Sequence, residues 1–256
     1  MRIMKKEFKI IKKNSPNKMS RKGWKPDMIV SHITEGSYAG AVSWLCNPKS
    51  GASAHFVVSK KGEITQLVDI REAAWANGTS TDPNKNNYYG KSSLKLVRDR
   101  KTNANYYTIS IEHEGFYKNG YGALTPKQLE ASIWLHKHII EEVKKIYGIE
   151  ILLDRNHIVG HYQIDPIRKP NCPGSAFQFD KIIQALREDV LNMGSVFKDV
   201  NDDRWSAPYI KAAKELDIIA GNPDGTFNPT GNLTREQAAV LMVRLYEKIT
   251  GKKVVK

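Results

Sequence analysis

Cysteine is scarce in this 256-residue chain, which contains only Cys46 and Cys172. Two cysteines cannot form the dense disulfide framework that stabilises many small secreted domains. The two could in principle pair with each other, but synthesis in a reducing compartment argues against a disulfide. We therefore expect metal ligation or a free buried thiol, and we interpret Cys46 as a small buried hydrophobic residue.

A long apolar run is also missing. No stretch approaches the roughly 18–20 apolar residues that cross a bilayer, so we expect no membrane span. Residues 1–13 are basic but lack the continuous apolar segment of a secretory signal. We expect a protein made in the cytoplasm without a signal peptide, which reaches any target outside the cell by another route.

Acidic residues are outnumbered, with 27 Asp and Glu against 40 Lys and Arg and a net charge of +13. Residues 1–25, which we interpret as a basic N-terminal arm, carry ten basic residues and one acidic residue. Such an arm favours a polyanionic partner, although a solvated arm without a specific partner is the alternative. We do not expect nucleic acid to be that partner, because the chain has no recognition motif and no basic stripe interleaved with aromatic residues.

Strand-like and helix-like segments alternate over residues 26–191, which predicts one α/β domain with a mixed central sheet flanked by helices. Strands are expected near residues 27–34 and 103–116, and a hairpin over residues 53–68. The clearest helix begins after Thr125, a typical N-cap, and closes at Gly148. A further helix is predicted over residues 179–194.

The pattern changes after Gly194. Residues 195–250 read as a helix, a turn-rich loop and a second helix, so we predict a small, mainly helical C-terminal module. Thr234 and Gln237 have the spacing of a capping box at the start of the last helix.

A proline-rich loop, "GHYQIDPIRKPNCPG" at residues 160–174, holds His161 and Cys172. His32 follows a predicted buried strand, and two histidines with one cysteine form a known open zinc set. Isolated histidine and cysteine residues are more often structural, so the residues alone leave both interpretations open. We interpret the remaining histidines as structural residues or as neighbours of a metal ligand: His55, His113, His136, His138 and His157.

Five segments in order resemble the zinc-dependent N-acetylmuramoyl-L-alanine amidases of the type 2 amidase family, a family that includes phage lysozyme-amidases and peptidoglycan recognition proteins. The resemblance covers most of residues 27–190. The segments are "IVSHIT", "SAHFVV", "AAWANG", "ISIEHEG" and "GHYQIDPIRKPNCPG".

The resemblance implies a Zn²⁺ ion held by His32, His161 and Cys172. It implies that Glu112 is the catalytic acidic residue that deprotonates the attacking water, with Glu114 as its rival two residues away on the same strand.

The resemblance further implies that Lys169 stabilises the oxyanion, with Arg168 as the alternative. It places Trp75, and Asn77 close to it, beside the substrate cleft.

Residues 197–245 resemble an S-layer homology module, through "FKDV", Trp205, "GNPDGTFNP" and "TREQ". Such a module implies anchoring to an anionic secondary polysaccharide of the cell wall. Arg235 would meet an acidic sugar, because a guanidinium binds carboxylate bidentately. Trp205 would either stack on sugar or fill the small core of the module, and we favour the core position.

Together these resemblances predict a peptidoglycan hydrolase that cuts the amide between N-acetylmuramic acid and L-alanine, acting at the wall as a phage or prophage endolysin. The alternative is a non-catalytic peptidoglycan-binding protein of the same fold.

Overall fold

The computed structural model describes residues 8–118, 120–192, 196–201 and 203–255. These residues form two compact units, divided between Leu186 and Arg187. No helix in the described ranges is long and apolar enough to cross a membrane.

The first unit is built on a six-stranded mixed sheet with the order β1-β5-β4-β7-β3-β8. All neighbouring pairs are parallel except the β4–β5 hairpin, and β2 forms a separate antiparallel pair with β6. The strands are β1 Ile10–Lys12, β2 Lys18–Ser20, β3 Met28–Ile33, β4 Phe56–Val58, β5 Ile64–Gln66, β6 Glu72–Ala74, β7 Thr108–His113 and β8 Ile158–Gly160.

Among the described residues, five α-helices accompany this sheet: α1 Tyr38–Leu45, α2 Lys95–Arg100, α3 Pro126–Tyr147, α4 His161–Ile164 and α5 Phe179–Asn192. As predicted, the side chain of Thr125 caps α3, and Gly148 ends it with φ +67°. The α/β architecture with a mixed central sheet is therefore confirmed.

The central strands are buried on both faces, as parallel strands covered by helices usually are. On one face, Leu135 and Ile139 of α3 pack with Ile29 and Ile109 of the sheet. On the other face, Met28 and Val30 pack with Val97 of α2. Burying both faces holds β3 and β7 rigidly, so the side chains at their carboxyl ends have fixed positions.

Part of the predicted basic arm is folded onto the sheet. Within residues 1–25, β1 pairs with β5 and β2 pairs with β6, whereas residues 1–7 lie outside the described ranges. Arg21 is buried, and its guanidinium donates to the carbonyl oxygens of Ile70, Tyr106 and Thr108. Short basic strands at the edge of a sheet resemble a solvated segment in sequence, because edge strands are commonly charged.

The second unit contains helices α6 Ala207–Glu215 and α7 Arg235–Thr250. Its small core centres on Phe197, which stacks on Phe227 with ring centroids 5.2 Å apart. The predicted capping box of Thr234 and Gln237 is present at the start of α7. The end of the predicted 179–194 helix at Gly194 lies outside the described residues, and α5 is described to Asn192.

Trp205 does not fill the core of the second unit, so that expectation was wrong. Its side chain is 81% exposed and lies beside Tyr209, with ring centroids 6.4 Å apart. The stacked pair of Phe197 and Phe227 already occupies the centre. Arg235, the first residue of α7, is also exposed.

Candidate active site and metal centre

The candidate site lies where three neighbouring parallel strands end. Glu112 of β7 pairs in register with His32 of β3, and Ser31 of β3 pairs with Gly160, the last residue of β8. His161 follows directly. Because the carboxyl ends of parallel strands meet at one edge of the sheet, these three side chains come from distant parts of the chain to one place.

The structure brings the three predicted ligands together. One ligand atom from each of His32, His161 and Cys172 lies within 4.8 Å of the other two. The Cys172 Sγ is 3.8 Å from Nδ1 of His32, and the two histidine rings have centroids 4.5 Å apart. Both cysteines are free, so Cys172 is available as a ligand.

The chemistry of this cluster fits a zinc ion. Burial lowers the pKa of His32 well below its usual value and that of His161 to about 3, so both rings are in the neutral form that binds metals. Within the described residues, the buried Nε2 of His161 has no hydrogen-bond partner. Two imidazoles and one thiol suit zinc better than a hard cation and leave a fourth position open.

The carboxyl group of Glu112 faces this cluster. Its Oε1 lies 3.9 Å from Nδ1 of His32, and its buried Oε2 has no hydrogen-bond partner among the described groups. Burial raises the pKa of Glu112 to about 7, and the charge of Lys169 opposes that shift. A carboxyl group that titrates near neutral pH is suited to accept a proton from water and to return it.

Glu114, the rival acidic residue, is directed elsewhere. Its Oε2 accepts a hydrogen bond of 2.7 Å from the backbone N–H of Lys60, in the turn between β4 and β5. The expectation that Glu112 and Glu114 share a strand face does not apply, because β7 ends at His113. The carboxylate of Glu114 is therefore engaged by the hairpin.

Arg168 and Lys169 have different surroundings. The Arg168 guanidinium contacts the buried Asp165 carboxylate through an Nε–Oδ2 distance of 2.5 Å and donates to the carbonyl of Gly78 at 3.2 Å. Lys169 is exposed, and its charge lowers the pKa of Glu112, His161 and Cys172. The contacts of Arg168 hold the proline-rich loop in place and its charge lowers the pKa of His161, whereas the charge of Lys169 acts on Glu112, His161 and Cys172.

The two predicted cleft residues, Trp75 and Asn77, differ in their exposure to solvent. Trp75 is 38% exposed, and its backbone N–H donates to Oγ of Ser53 at 2.8 Å. Asn77 is only 1% exposed, which corrects the expectation that it contacts substrate. Its amide Nδ2 instead donates to Oγ1 of Thr108 at 2.9 Å.

Two glycines that the sequence reasoning missed shape the loop that carries Cys172. Gly122 has φ +81° and Gly174 has φ +127°. A Cβ on Gly122 would lie 2.1 Å from the Pro173 carbonyl oxygen, and one on Gly174 would lie 2.1 Å from that of Tyr121. Only glycine permits these backbones to approach so closely. The corresponding sequence signals are the separate motifs GYG at residues 120–122 and CPG at residues 172–174.

The other histidines make contacts outside the ligand cluster. His55 accepts the backbone N–H of Ser110, and His157 bonds Asp154 at 2.7 Å. The ring of His113 contacts the backbone oxygen of His32 at 3.1 Å and Oγ of Ser132 at 2.9 Å. Cys46 is partly buried and its Sγ lies 3.9 Å from the carbonyl oxygen of Lys13.

Comparison with known proteins agrees with the two resemblances in the sequence. Residues 22–175 match the family Amidase_2, described as N-acetylmuramoyl-L-alanine amidase, and residues 196–239 match the S-layer homology domain.

Two curated relatives match limited stretches of the chain. N-acetylmuramoyl-L-alanine amidase A of Achromobacter lyticus is 36% identical over 88 residues, which are 34% of this chain and 36% of that protein. The cellulosome-anchoring protein of Acetivibrio thermocellus is 38% identical over 58 residues, which are 23% of this chain and 13% of that protein. The chain therefore spans 36% of the length of the first relative and 13% of that of the second.

Among solved structures, the endolysin N-acetylmuramoyl-L-alanine amidase LysCS from Clostridium intestinale is 21% identical, with a TM-score of 0.42. The similarity covers 70% of this chain and 95% of that one.

Proposed function

Because the chain belongs to the Amidase_2 family and carries an S-layer homology domain, we propose that it is a peptidoglycan hydrolase anchored to the cell wall. The bond cut is the amide between N-acetylmuramic acid and the L-alanine of the stem peptide. The observation that carries this proposal is the grouping of His32, His161 and Cys172 with the carboxyl group of Glu112.

The three grouped ligands would hold a zinc ion. A zinc ion in such a site polarises a carbonyl and lowers the pKa of a water molecule. The chain contributes two neutral imidazoles and a thiol that becomes a thiolate on binding metal.

Glu112 is the proposed general base. With a pKa of about 7, its carboxyl group is substantially ionised at neutral pH, so it accepts the proton of the attacking water. In its protonated form it then returns that proton to the leaving amide nitrogen. Its position beside His32 supports both transfers.

Lys169 is the proposed stabiliser of the negative charge that develops on the amide oxygen. Its ammonium group is exposed, whereas Arg168 is engaged by Asp165 and Gly78. A fixed positive charge near a developing oxyanion lowers the barrier more than it strengthens substrate binding. Trp75, partly exposed on the adjoining loop, would contribute an apolar surface for the sugar or peptide.

The C-terminal unit is proposed to bind an anionic secondary polysaccharide of the wall. Arg235 and Trp205 are both exposed, one as a charge and the other as a flat aromatic surface. An excess of basic residues over the whole chain favours the same anionic target. A guanidinium and an aromatic ring are both suited to contact an acidic sugar. The proposed domains are the amidase domain at residues 26–191 and the wall-binding module at residues 195–250.

The test is digestion of purified Gram-positive peptidoglycan, followed by mass spectrometry of the soluble products. We expect free stem peptides that begin at L-alanine, their loss after chelation, and their return on adding Zn²⁺. Products with a new reducing sugar end and no free L-alanine terminus would contradict the proposal. Pelleting with the wall without any product would favour the non-catalytic binding protein.

The proposed biological role is bacteriolytic, as in a phage or prophage endolysin. A fall in turbidity when the protein is added to permeabilised bacteria would support it. Activity on purified wall but none on such cells would assign the protein to wall processing instead.

A further inference from the structure

His113 is the last residue of β7 and is completely buried beside the candidate site. Its Nδ1 lies 3.1 Å from the carbonyl oxygen of His32, and its Nε2 lies 2.9 Å from Oγ of Ser132 in α3. The ring also contacts Phe177 edge-on, with ring centroids 4.9 Å apart. The imidazole therefore connects helix α3 to the main chain of a proposed metal ligand.

The partners of this ring determine which of its nitrogens carries a proton. A carbonyl oxygen can only accept a hydrogen bond, so Nδ1 of His113 is the donor to His32. Because burial disfavours a charged imidazole, the ring carries a single proton and its Nε2 is an acceptor. The hydroxyl group of Ser132 then donates to Nε2. The contacts therefore specify one tautomer of His113.

The carbonyl group that receives this bond lies where β3 has lost one of its two neighbours. Strand β8 ends at Gly160, which pairs with Ser31, so His32 has a strand partner only on the β7 side. Strand β3 itself ends at the next residue, Ile33. A side-chain donor at this point therefore holds a peptide group that β8 no longer holds.

We propose that His113 is a positioning residue, whose Nδ1–H holds the His32 carbonyl and thereby sets the direction of the His32 ring. The ring and the carbonyl share one α-carbon, so rotation of this part of the chain would displace the ring. Its Nδ1 now lies 3.8 Å from Sγ of Cys172 and 3.9 Å from Oε1 of Glu112. The bond from Ser132 ties this direction to the long helix α3. The inference rests on the metal-dependent function proposed above.

The first test uses the metal-free full chain labelled with ¹⁵N-histidine. Long-range ¹H–¹⁵N spectra report which ring nitrogen of His113 carries the proton, and the signal is assigned by its loss in His113→Asn. We expect the Nδ1–H form. A ring protonated at Nε2 has no donor for the His32 carbonyl and would overturn the proposal.

Two amide substitutions separate the donor from the volume of the ring. The side-chain nitrogen of asparagine can occupy the position of Nδ1, whereas that of glutamine reaches the position of Nε2. His113→Asn should therefore keep the bond to His32, and His113→Gln should lose it. In the same spectra, the His32 ring signals should match the wild type in His113→Asn and should shift or multiply in His113→Gln. Wild-type His32 signals in both variants would contradict the proposal.

Metal affinity is the second measurement, made by titrating the metal-free protein with Co²⁺ against a competing chelator. Loss of a hydrogen bond that orients a metal ligand typically weakens binding about 10–100-fold, and we expect a loss of that size in His113→Gln. His113→Asn should bind Co²⁺ as the wild type does. Equal weakening in the two variants would show that the ring of His113 acts only by filling space.

His136→Leu is the matched control. His136 is also a buried histidine, but among the described residues its Nδ1 contacts only Ser132, in the same helix. Its replacement leaves the Ser132 hydroxyl group free to donate to His113, so Co²⁺ affinity and the His32 signals should not change.

The two proposals can fail separately. A wild-type protein that binds neither Co²⁺ nor Zn²⁺ would refute the metal site of the proposed function, and the ring signals of His32 and His113 would still test the positioning role. If His113→Gln does not fold, His113→Leu replaces it as the variant without a donor. The wild-type tautomer of His113 needs no variant to fold in the place of the wild type, and an Nε2–H ring would still overturn the proposal.

Discussion

His32 and Glu112 occupy paired positions on adjacent parallel strands, and Nδ1 of one lies 3.9 Å from Oε1 of the other. Paired residues on parallel strands point to the same face of a sheet. The backbone register therefore sets the separation between the ring of a proposed metal ligand and an acidic group. Both residues lie within strands, so their separation does not depend on the conformation of a loop.

The first prediction separates the two acidic residues of this region. We expect Glu112→Gln to lower the rate of stem-peptide release by roughly 10²–10⁴-fold, because the general base is removed. Glu114→Gln is the matched control and should retain activity, since its carboxylate contacts the Lys60 backbone. Release rates from the same wall preparation give the comparison. Equal losses in the two variants would argue against Glu112 as the base.

The second prediction concerns the pH profile of Lys169→Met. The positive charge of Lys169 lowers the pKa of Glu112 against the raising effect of burial. Its removal should raise that pKa, so the acidic limb of kcat/KM moves to higher pH. The plateau should also fall about 10²–10³-fold, as for loss of an oxyanion stabiliser. A lower maximum of kcat/KM without a shift of its acidic limb would show that the charge of Lys169 does not change the pKa of Glu112.

The third prediction is that metal binding releases protons. Burial raises the pKa of the Cys172 thiol to about 12, so the metal-free protein holds a neutral thiol at pH 7 to 8. Because the thiolate is the ligand, Zn²⁺ binding should release close to one proton from Cys172, and affinity should increase with pH. Calorimetry in buffers of different ionisation enthalpy counts the protons. Repeating it with Glu112→Gln removes any contribution of that carboxyl group, and zero release there would exclude Cys172 as a thiolate ligand.

The fourth prediction is acid sensitivity of the first unit. Burial lowers the pKa of His136 to about 4 and that of His113 to about 3. Below pH 6.5 the unfolded chain takes up protons that the folded chain does not, so the free energy of unfolding decreases as pH falls. Each histidine adds a slope approaching about 1.4 kcal/mol per pH unit until its folded pKa is reached.

The variant for this prediction is His136→Leu, compared with the wild type by urea denaturation at pH 7, 6, 5 and 4. The variant should lose less stability than the wild type over this range. An identical pH dependence in the two proteins would mean that His136 titrates alike in both states.

The fifth prediction addresses the C-terminal unit. Trp205→Ala and Arg235→Ala alter exposed side chains, so unfolding free energy should change by no more than about 0.5 kcal/mol. Both should reduce the fraction of protein that pellets with wall carrying its secondary polysaccharide. Phe197→Ala, which removes half of the stacked core pair, should instead unfold this unit. Wild-type pelleting by both surface variants would exclude these residues from the polysaccharide contact.

Local signals predicted a large part of the fold. The buried strand β3, the β4–β5 hairpin and helix α3 are all present, because apolar periodicity, turn residues and caps act over a few residues. Strands β1 and β2 were not predicted. Their pairing depends on β5 and β6, more than 50 residues later, and each strand has only 3 residues, too few to show an alternating pattern.

The candidate site was also predicted only in part from the sequence. The motifs placed His32, His161 and Cys172 in one proposed cluster, and the structure groups them. The directions of Glu114 and Asn77 could not be predicted, because each is set by a partner that is distant in sequence or on another element. Trp205 was misassigned because an aromatic residue in a small module gives the same sequence signal whether it lies inside or outside.

The candidate ligands are far apart along the chain, since Cys172 lies 140 positions after His32. During synthesis the ribosome releases His32 long before Cys172, so the emerging polypeptide has no complete donor set for most of its elongation. A product terminated before residue 172 lacks the third ligand altogether. Only a chain translated through residue 172 therefore has all three donors of the proposed metal site.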